Sequence, residues 1–186
     1  MALRPKISGF SLRKMWAHIG CADAEVGQRI AGSLEEEGEE WLHDIVMGEV
    51  PPGSLDVEDD AVIEAVVELA FFEQDHHHVG SNIWNSYFMD WAWERQGLLH
   101  AEGYEDADRA HTLIGWALLE RPIFGTKLDT SWTSYGYLTH EELGELIGYL
   151  DQHPRLLLDE HGFGTKFIDW LREIHGLGLD YWFHSA

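Results

Sequence analysis

Apolar residues recur every three or four positions over most of this chain, which is the spacing of one face of an α-helix. Segments with this pattern cover roughly residues 12–19, 22–36, 41–46, 58–72, 81–96, 105–119, 139–150 and 165–175. Thr139 and Glu142 have the spacing of a capping box, and Gly97 and Gly176 are placed as stop signals. The pattern predicts a mainly α, compact single-domain bundle of about seven or eight helices over residues 1–186.

Two stretches do not follow the helical spacing. Residues 123–138 are rich in threonine, serine, glycine and aromatic side chains, and the C-terminal tail from Asp180 is strongly aromatic. We expect a short strand pair formed by residues 123–138 and the C-terminus. Residues 1–10 precede the first helical pattern, so we expect an N-terminal arm that is either flexible or docked on the body.

Composition and charge restrict the classes of partner. The chain is 45% hydrophobic and 12% aromatic, as globular proteins are, and its 34 acidic against 12 basic residues give a formal charge of -22. This charge repels nucleic acid and anionic membranes and attracts basic proteins, and its alternative role is to keep the protein soluble. With a single cysteine and no apolar run long enough to span a bilayer, the sequence predicts a cytoplasmic protein that binds no membrane.

Carboxylates and imidazoles cluster before Gly80, and such groups are common ligands of zinc and other divalent ions. The cluster comprises Glu73, Asp75, His76, His77 and His78. If the preceding helix continues to residue 78, Glu73 and His77 lie four residues apart on one face and can share an ion. The alternative is that the histidines offset the dipole at the end of a helix, in which case no cofactor is expected.

Aromatic residues are concentrated in the segment 84–93. Trp84, Tyr87, Phe88 and Trp91 fit one helical face, which predicts core packing, with an aromatic-lined pocket as the alternative. Trp93 falls off that face and is a candidate contact for a protein partner. A second candidate partner surface is the acidic run Glu35, Glu36, Glu37, Glu39 and Glu40, whose alternative role is a solvated helix end.

Three functional hypotheses follow. The first is a non-enzymatic acidic binding protein that captures a basic protein, in the manner of an immunity protein or inhibitor, because no nucleophile or phosphate-loop motif is present. The second is a metal-dependent hydrolase built on the cluster from Glu73 to His78. The third is a carrier of a small ligand in an aromatic-lined pocket.

Overall fold

The computed structural model describes residues 5–14, 25, 47–49, 77–80, 85–119, 121 and 134–185. The elements in this part of the chain are β1 Pro5–Phe10, β2 His77–Gly80, α1 Asn85–Ala101, α2 Ala107–Leu118, β3 Ser134–Leu138, α3 His140–Gln152, α4 Phe163–Gly176 and β4 Asp180–Ser185. A short 3-10 helix, Pro154–Leu157, joins α3 to the loop before α4. The prediction of a seven- or eight-helix bundle is therefore wrong, because these helices are combined with a four-stranded sheet.

The four strands form one antiparallel sheet in the order β2-β1-β4-β3. Strands β3 and β4 pair with each other, which is the strand pair expected from residues 123–138 and the C-terminus. The segment assigned to an N-terminal arm contains β1, which lies inside the sheet between β2 and β4. The two ends of the chain thus pair with each other, with Ser8 opposite Trp182.

The sequence pattern did not predict strands β1 and β2, because each is short and neither has a long alternation of apolar and polar residues. Strand β2 reads His-His-Val-Gly, and the histidines looked like the end of a helix. Their extended conformation depends on pairing with β1, about seventy residues away in the chain. Local pattern carries no information about such a distant partner.

The helices cover one face of the sheet. Tyr181 and Phe183 of β4 lie on this face, where their rings meet Phe167 of α4 and Phe88 of α1, with ring centroids 6.1 Å and 4.6 Å apart. Helix α2 approaches β3 so closely that a Cβ at Gly136 would collide with backbone carbonyl groups of α2. The sheet can lie this close to α2 only because residue 136 has no side chain.

Three predicted helices are confirmed as α2, α3 and α4, and the capping box of Thr139 and Glu142 is present at the start of α3. Helix α1 is also found, but its predicted end at Gly97 is wrong. The helix continues to Ala101 because Leu99, fully buried, extends its apolar face beyond the glycine. The patterns over 22–36, 41–46 and 58–72 fall almost entirely outside the described residues.

The chain divides into two compact units. The first comprises residues 1–10, 76–121 and 131–186 and carries all the elements above. The second comprises residues 11–75 and 122–130, of which the structure describes 11–14, 25 and 47–49. The candidate site below lies within the first unit, and the expectation of a single domain stays a prediction.

Candidate binding groove

A cavity of about 750 Å³ lies between the start of α2 and one face of α3. Its lining residues are Glu105, Asp106, Arg109, Ala110, Leu113, Gly144, Glu145, Gly148, Tyr149, Gln152 and His153. The volume falls within the range of about 300–1,000 Å³ that is usual for ligand pockets. We refer to this cavity as the α2–α3 groove.

The α3 wall of the groove contains two glycines one turn apart, Gly144 and Gly148. A glycine inside a helix costs about 1 kcal/mol relative to alanine, so each position calls for a reason. At Gly144 the reason is steric, because the position of a Cβ atom would be 2.8 Å from Nε2 of His175. At Gly148, apart from the flanking residues and the backbone of α3 itself, no heavy atom of the described chain lies within 4 Å of that position, so the helix surface there has room for a ligand.

An ion pair crosses the groove from α2 to α3. The guanidinium of Arg109 donates hydrogen bonds to both carboxylate oxygens of Glu145, at 2.9 Å and 2.7 Å. These bonds hold the pKa of Glu145 below its ordinary value and raise the pKa of Arg109. Both side chains are more than 40% exposed, so water screens the pair and it adds little to folding.

Two side chains with aromatic rings, Tyr149 and His153, also line the groove. The Tyr149 hydroxyl donates a 3.0 Å hydrogen bond to the backbone oxygen of Glu105, which ties α3 to the segment before α2. The ring of His153 packs between Tyr149 and Tyr104, with centroids 4.6 Å and 5.0 Å away. Burial raises the pKa of Tyr149, and the charges of Tyr104 and Asp106 add to the effect, so the phenol stays neutral.

The start of α2 brings two more carboxylates to the groove, those of Glu105 and Asp106. Asp106 occupies the N-cap position of α2, yet its backbone is left-handed, with φ 54° and ψ 27°, and its side chain makes no capping hydrogen bond. The left-handed region is costly for a residue with a side chain, although aspartate tolerates it better than most. The groove therefore holds three carboxylates against one guanidinium, and that guanidinium is already bound to Glu145.

A stacked histidine pair borders the α3 wall at Gly144. The rings of His140 and His175 are 4.1 Å apart at their centroids and inclined by only 6°. Burial is the main cause that lowers the pKa of His175, and the neighbouring His140 lowers it further. Both effects favour the neutral form of the His175 ring.

The predicted metal cluster is described only at His77 and His78, while Glu73, Asp75 and His76 lie outside the described residues. His77 lies in strand β2, so the helical spacing assumed for Glu73 and His77 is wrong at this end. Nε2 of His77 is 2.6 Å from a carboxylate oxygen of Glu173, and Nδ1 of His78 is 3.0 Å from Oγ of Ser8.

Successive strand residues point to opposite faces, so the two imidazoles diverge. Among the described residues no group of three or more histidine, cysteine, aspartate or glutamate side chains is arranged to hold a metal ion. The hypothesis of a metal site formed by Glu73, Asp75, His76, His77 and His78, with the metal-dependent hydrolase that follows from it, stays a prediction, since three of these residues lie outside the described part of the chain.

The described aromatic side chains of the segment 84–93 are buried or exposed as their helical spacing predicts. Phe88 and Trp91 are buried in the core, and Trp91 packs edge-on against Phe163 and Phe167. Trp93 points away from the core and is 54% exposed, so its ring is open to a partner. The side chains of Trp84 and Tyr87 lie outside the described set, as do the acidic residues Glu35, Glu36, Glu37, Glu39 and Glu40.

Sequence reasoning did not find the α2–α3 groove. Its two walls are separated by about forty positions along the chain, and each is formed by an ordinary helix and the turn beside it. The one local signal is the pair Gly144 and Gly148, since two glycines one turn apart weaken a helix that is otherwise strongly patterned.

No helix within the described residues is long and apolar enough to cross a membrane. Comparison of the chain with protein-family models, with curated proteins and with solved structures finds no match.

Proposed function

We propose that this protein is a non-enzymatic binding protein that captures a basic protein partner, and that the α2–α3 groove receives a lysine or arginine side chain of that partner. The observation that carries the proposal is the charge of the groove. Glu105, Asp106 and Glu145 line it together with a single cation, Arg109, whose hydrogen bonds are directed to Glu145.

The charge of the whole chain favours the same class of partner. A formal charge of -22 steers a basic protein toward the surface and raises its encounter rate. At physiological ionic strength this attraction is screened beyond about 8 Å. The carboxylates inside the groove, rather than the overall charge, therefore select where a cationic side chain comes to rest.

The groove also offers contacts that a cation uses after it arrives. A carboxylate oxygen accepts more than one hydrogen bond, so Glu145 can bind a second guanidinium while it holds Arg109. Tyr149 lines the groove with an aromatic ring, and a cation over such a ring gains about 0.5–1 kcal/mol at an exposed site. The open backbone at Gly148 leaves room for the incoming side chain.

A carrier of a small organic cation is the second candidate, and the volume of about 750 Å³ favours it because whole small molecules fit such cavities. The half-exposed ring of Trp93 distinguishes the two candidates. Trp93 lies on α1, outside the residues that line the groove, so a protein partner gains an aromatic anchor there when it contacts α1 as well. A small cation confined to the groove does not touch it, so Trp93→Ala weakens binding of a protein partner only.

The test is calorimetric titration of the purified chain with an oligoarginine peptide. The groove variant is Glu105→Gln with Asp106→Asn, which removes two negative charges. The backbone oxygen of residue 105, which accepts the hydrogen bond from Tyr149, is unchanged. Asparagine at position 106 tolerates the left-handed backbone as aspartate does. The control is Glu160→Gln with Asp169→Asn, an equal loss of charge at exposed positions outside the groove.

We expect the groove variant to weaken binding by at least about tenfold and the control by less than about twofold at physiological salt. Equal weakening by both variants would mean that the peptide binds the acidic surface at large, and the proposed site would be wrong. Absence of any binding by the unmodified chain would remove the proposed function.

A further inference from the structure

The stacked histidines lie at the junction of α3, which forms one wall of the groove, and α4, which packs against α3. His140 is the first residue of α3, and His175 is in the last turn of α4. Nε2 of His175 is 2.8 Å from the position that a Cβ would occupy at Gly144, which itself lines the groove. A charge on this imidazole therefore lies directly beside the α3 wall.

Several polar and charged groups surround the pair. Nδ1 of His140 is 3.3 Å from the carbonyl oxygen of Leu179, which can only accept a hydrogen bond, so Nδ1–H is the donor. The carboxylate of Asp180 accepts the backbone N–H of His140 at 2.7 Å. On α4, Glu173 is bonded to His77. Burial opposes a charge on His175, and the neighbouring ring of His140 opposes it further.

We propose that protonation of the His140–His175 pair under mildly acidic conditions weakens the capture of a cationic side chain in the α2–α3 groove, so that the protein releases its basic partner as the pH falls. This inference rests on the proposed function of the groove. An imidazolium at His175 adds a positive charge against the wall at Gly144.

Linkage determines the direction and the pH range. A cation in the groove and a proton on the pair repel each other, so each lowers the affinity for the other by the same factor. Because the pKa of His175 is lowered from its ordinary value of about 6.5, protonation takes place below that value as the pH falls. The hydrogen bonds from Arg109 hold the pKa of Glu145 below its ordinary value, so that groove carboxylate stays charged through the range in which the imidazole takes up its proton.

A second imidazole has to be distinguished from the pair. His153 lines the groove itself, between Tyr149 and Tyr104, and its protonation would also repel a cation. The decisive variants are therefore His175→Phe, which retains a stacked ring that cannot be protonated, and His153→Asn, which removes the competing imidazole. His175→Asn serves as a second uncharged replacement in case the phenylalanine does not fit beside Gly144.

The experiment measures the affinity of each protein for an oligoarginine peptide at about pH 7.5 and about pH 5.5, at one ionic strength. We expect the affinity of the unmodified chain for the peptide to be lower by about fivefold or more at the lower pH. The affinity of the His153→Asn variant should decrease nearly as much. In His175→Phe or His175→Asn the decrease should shrink to about twofold or less.

The outcomes separate the two proposals. A full decrease that persists in both His175 variants, or one that disappears in His153→Asn instead, would overturn the role of the stacked pair while the binding function stands. Failure of the unmodified chain to bind the peptide at about pH 7.5 would overturn the proposed function, and the pH dependence with it.

Discussion

Arg121 binds Glu142 through two parallel hydrogen bonds, with distances of 2.7 Å and 3.0 Å from the guanidinium nitrogens to the carboxylate oxygens. Both side chains are only 15% exposed. The guanidinium also lies over the rings of Trp116 and Tyr137, 4.0 Å and 4.1 Å from their centroids. Arg121 also donates a hydrogen bond to the backbone oxygen of Tyr137, and Glu142 accepts the backbone N–H of Thr139, so the ion pair links α2 and β3 to the start of α3.

We predict that Arg121→Lys lowers the free energy of unfolding by about 1–3 kcal/mol. Lysine keeps the positive charge but offers neither the two-pronged hydrogen bond nor a planar group that stacks between two rings. The matched control is Arg172→Lys, because Arg172 binds Asp151 at an exposed position. This substitution should lower the free energy of unfolding by less than about 0.5 kcal/mol. Urea denaturation of both variants measures the difference, and equal costs would contradict the prediction.

The glycines at positions 136 and 148 should respond to alanine in opposite directions. At Gly136 the new Cβ would collide with backbone oxygens of α2, and we expect a loss of about 3 kcal/mol or a failure to fold. At Gly148, inside α3 and open to solvent, alanine should raise the free energy of unfolding by about 0.5–1 kcal/mol. Thermal melting measures both, and a destabilised Gly148→Ala variant would show that the position is constrained.

At position 106 a glycine should give a more stable protein than an alanine, which is the reverse of their order inside a helix. Because Asp106 has a left-handed backbone, we expect Asp106→Gly to exceed Asp106→Ala in stability by about 1 kcal/mol. Both variants remove the same carboxylate, so both should weaken oligoarginine binding to the same extent. Denaturation and calorimetric titration of the pair measure the two effects separately. A more stable alanine variant would indicate that α2 begins with ordinary helical geometry.

Asp159 should stabilise α4 at neutral pH. Burial by itself raises its pKa, but hydrogen bonds from the backbone N–H groups of Gly164, Phe163 and His161 outweigh burial, and the pKa is lowered. A lowered pKa in the folded state means that this stabilisation is present above the unfolded value of about 3.9 and is lost as the pH falls through the folded value.

We therefore predict that Asp159→Asn costs about 1–2 kcal/mol at pH 7, and that the cost shrinks as the pH falls below about 3.9. The exposed neighbour Glu160 gives the control, since Glu160→Gln should change the free energy of unfolding by less than about 0.5 kcal/mol at either pH. A cost of Asp159→Asn that does not depend on pH would mean that its carboxylate charge is not the cause.

The sequence by itself determined the elements whose signals are local. Helices α2, α3 and α4 have an apolar face repeated over three or more turns, and the capping box of Thr139 and Glu142 was readable because its partners are three residues apart. The burial of Trp91 and the exposure of Trp93 follow from the same spacing. The high negative charge is a property of composition and needs no fold.

Only the tertiary structure decided the features that join distant parts of the chain. Strand β1 pairs with β4 across nearly the whole sequence, and β2 becomes a strand through β1, so neither has a local signature. The same holds for the α2–α3 groove and for the stacking of His140 on His175, thirty-five positions apart. In each case the stabilising contacts join residues that are far apart in the sequence. A periodic pattern describes only neighbouring residues, so it carries no information about these contacts.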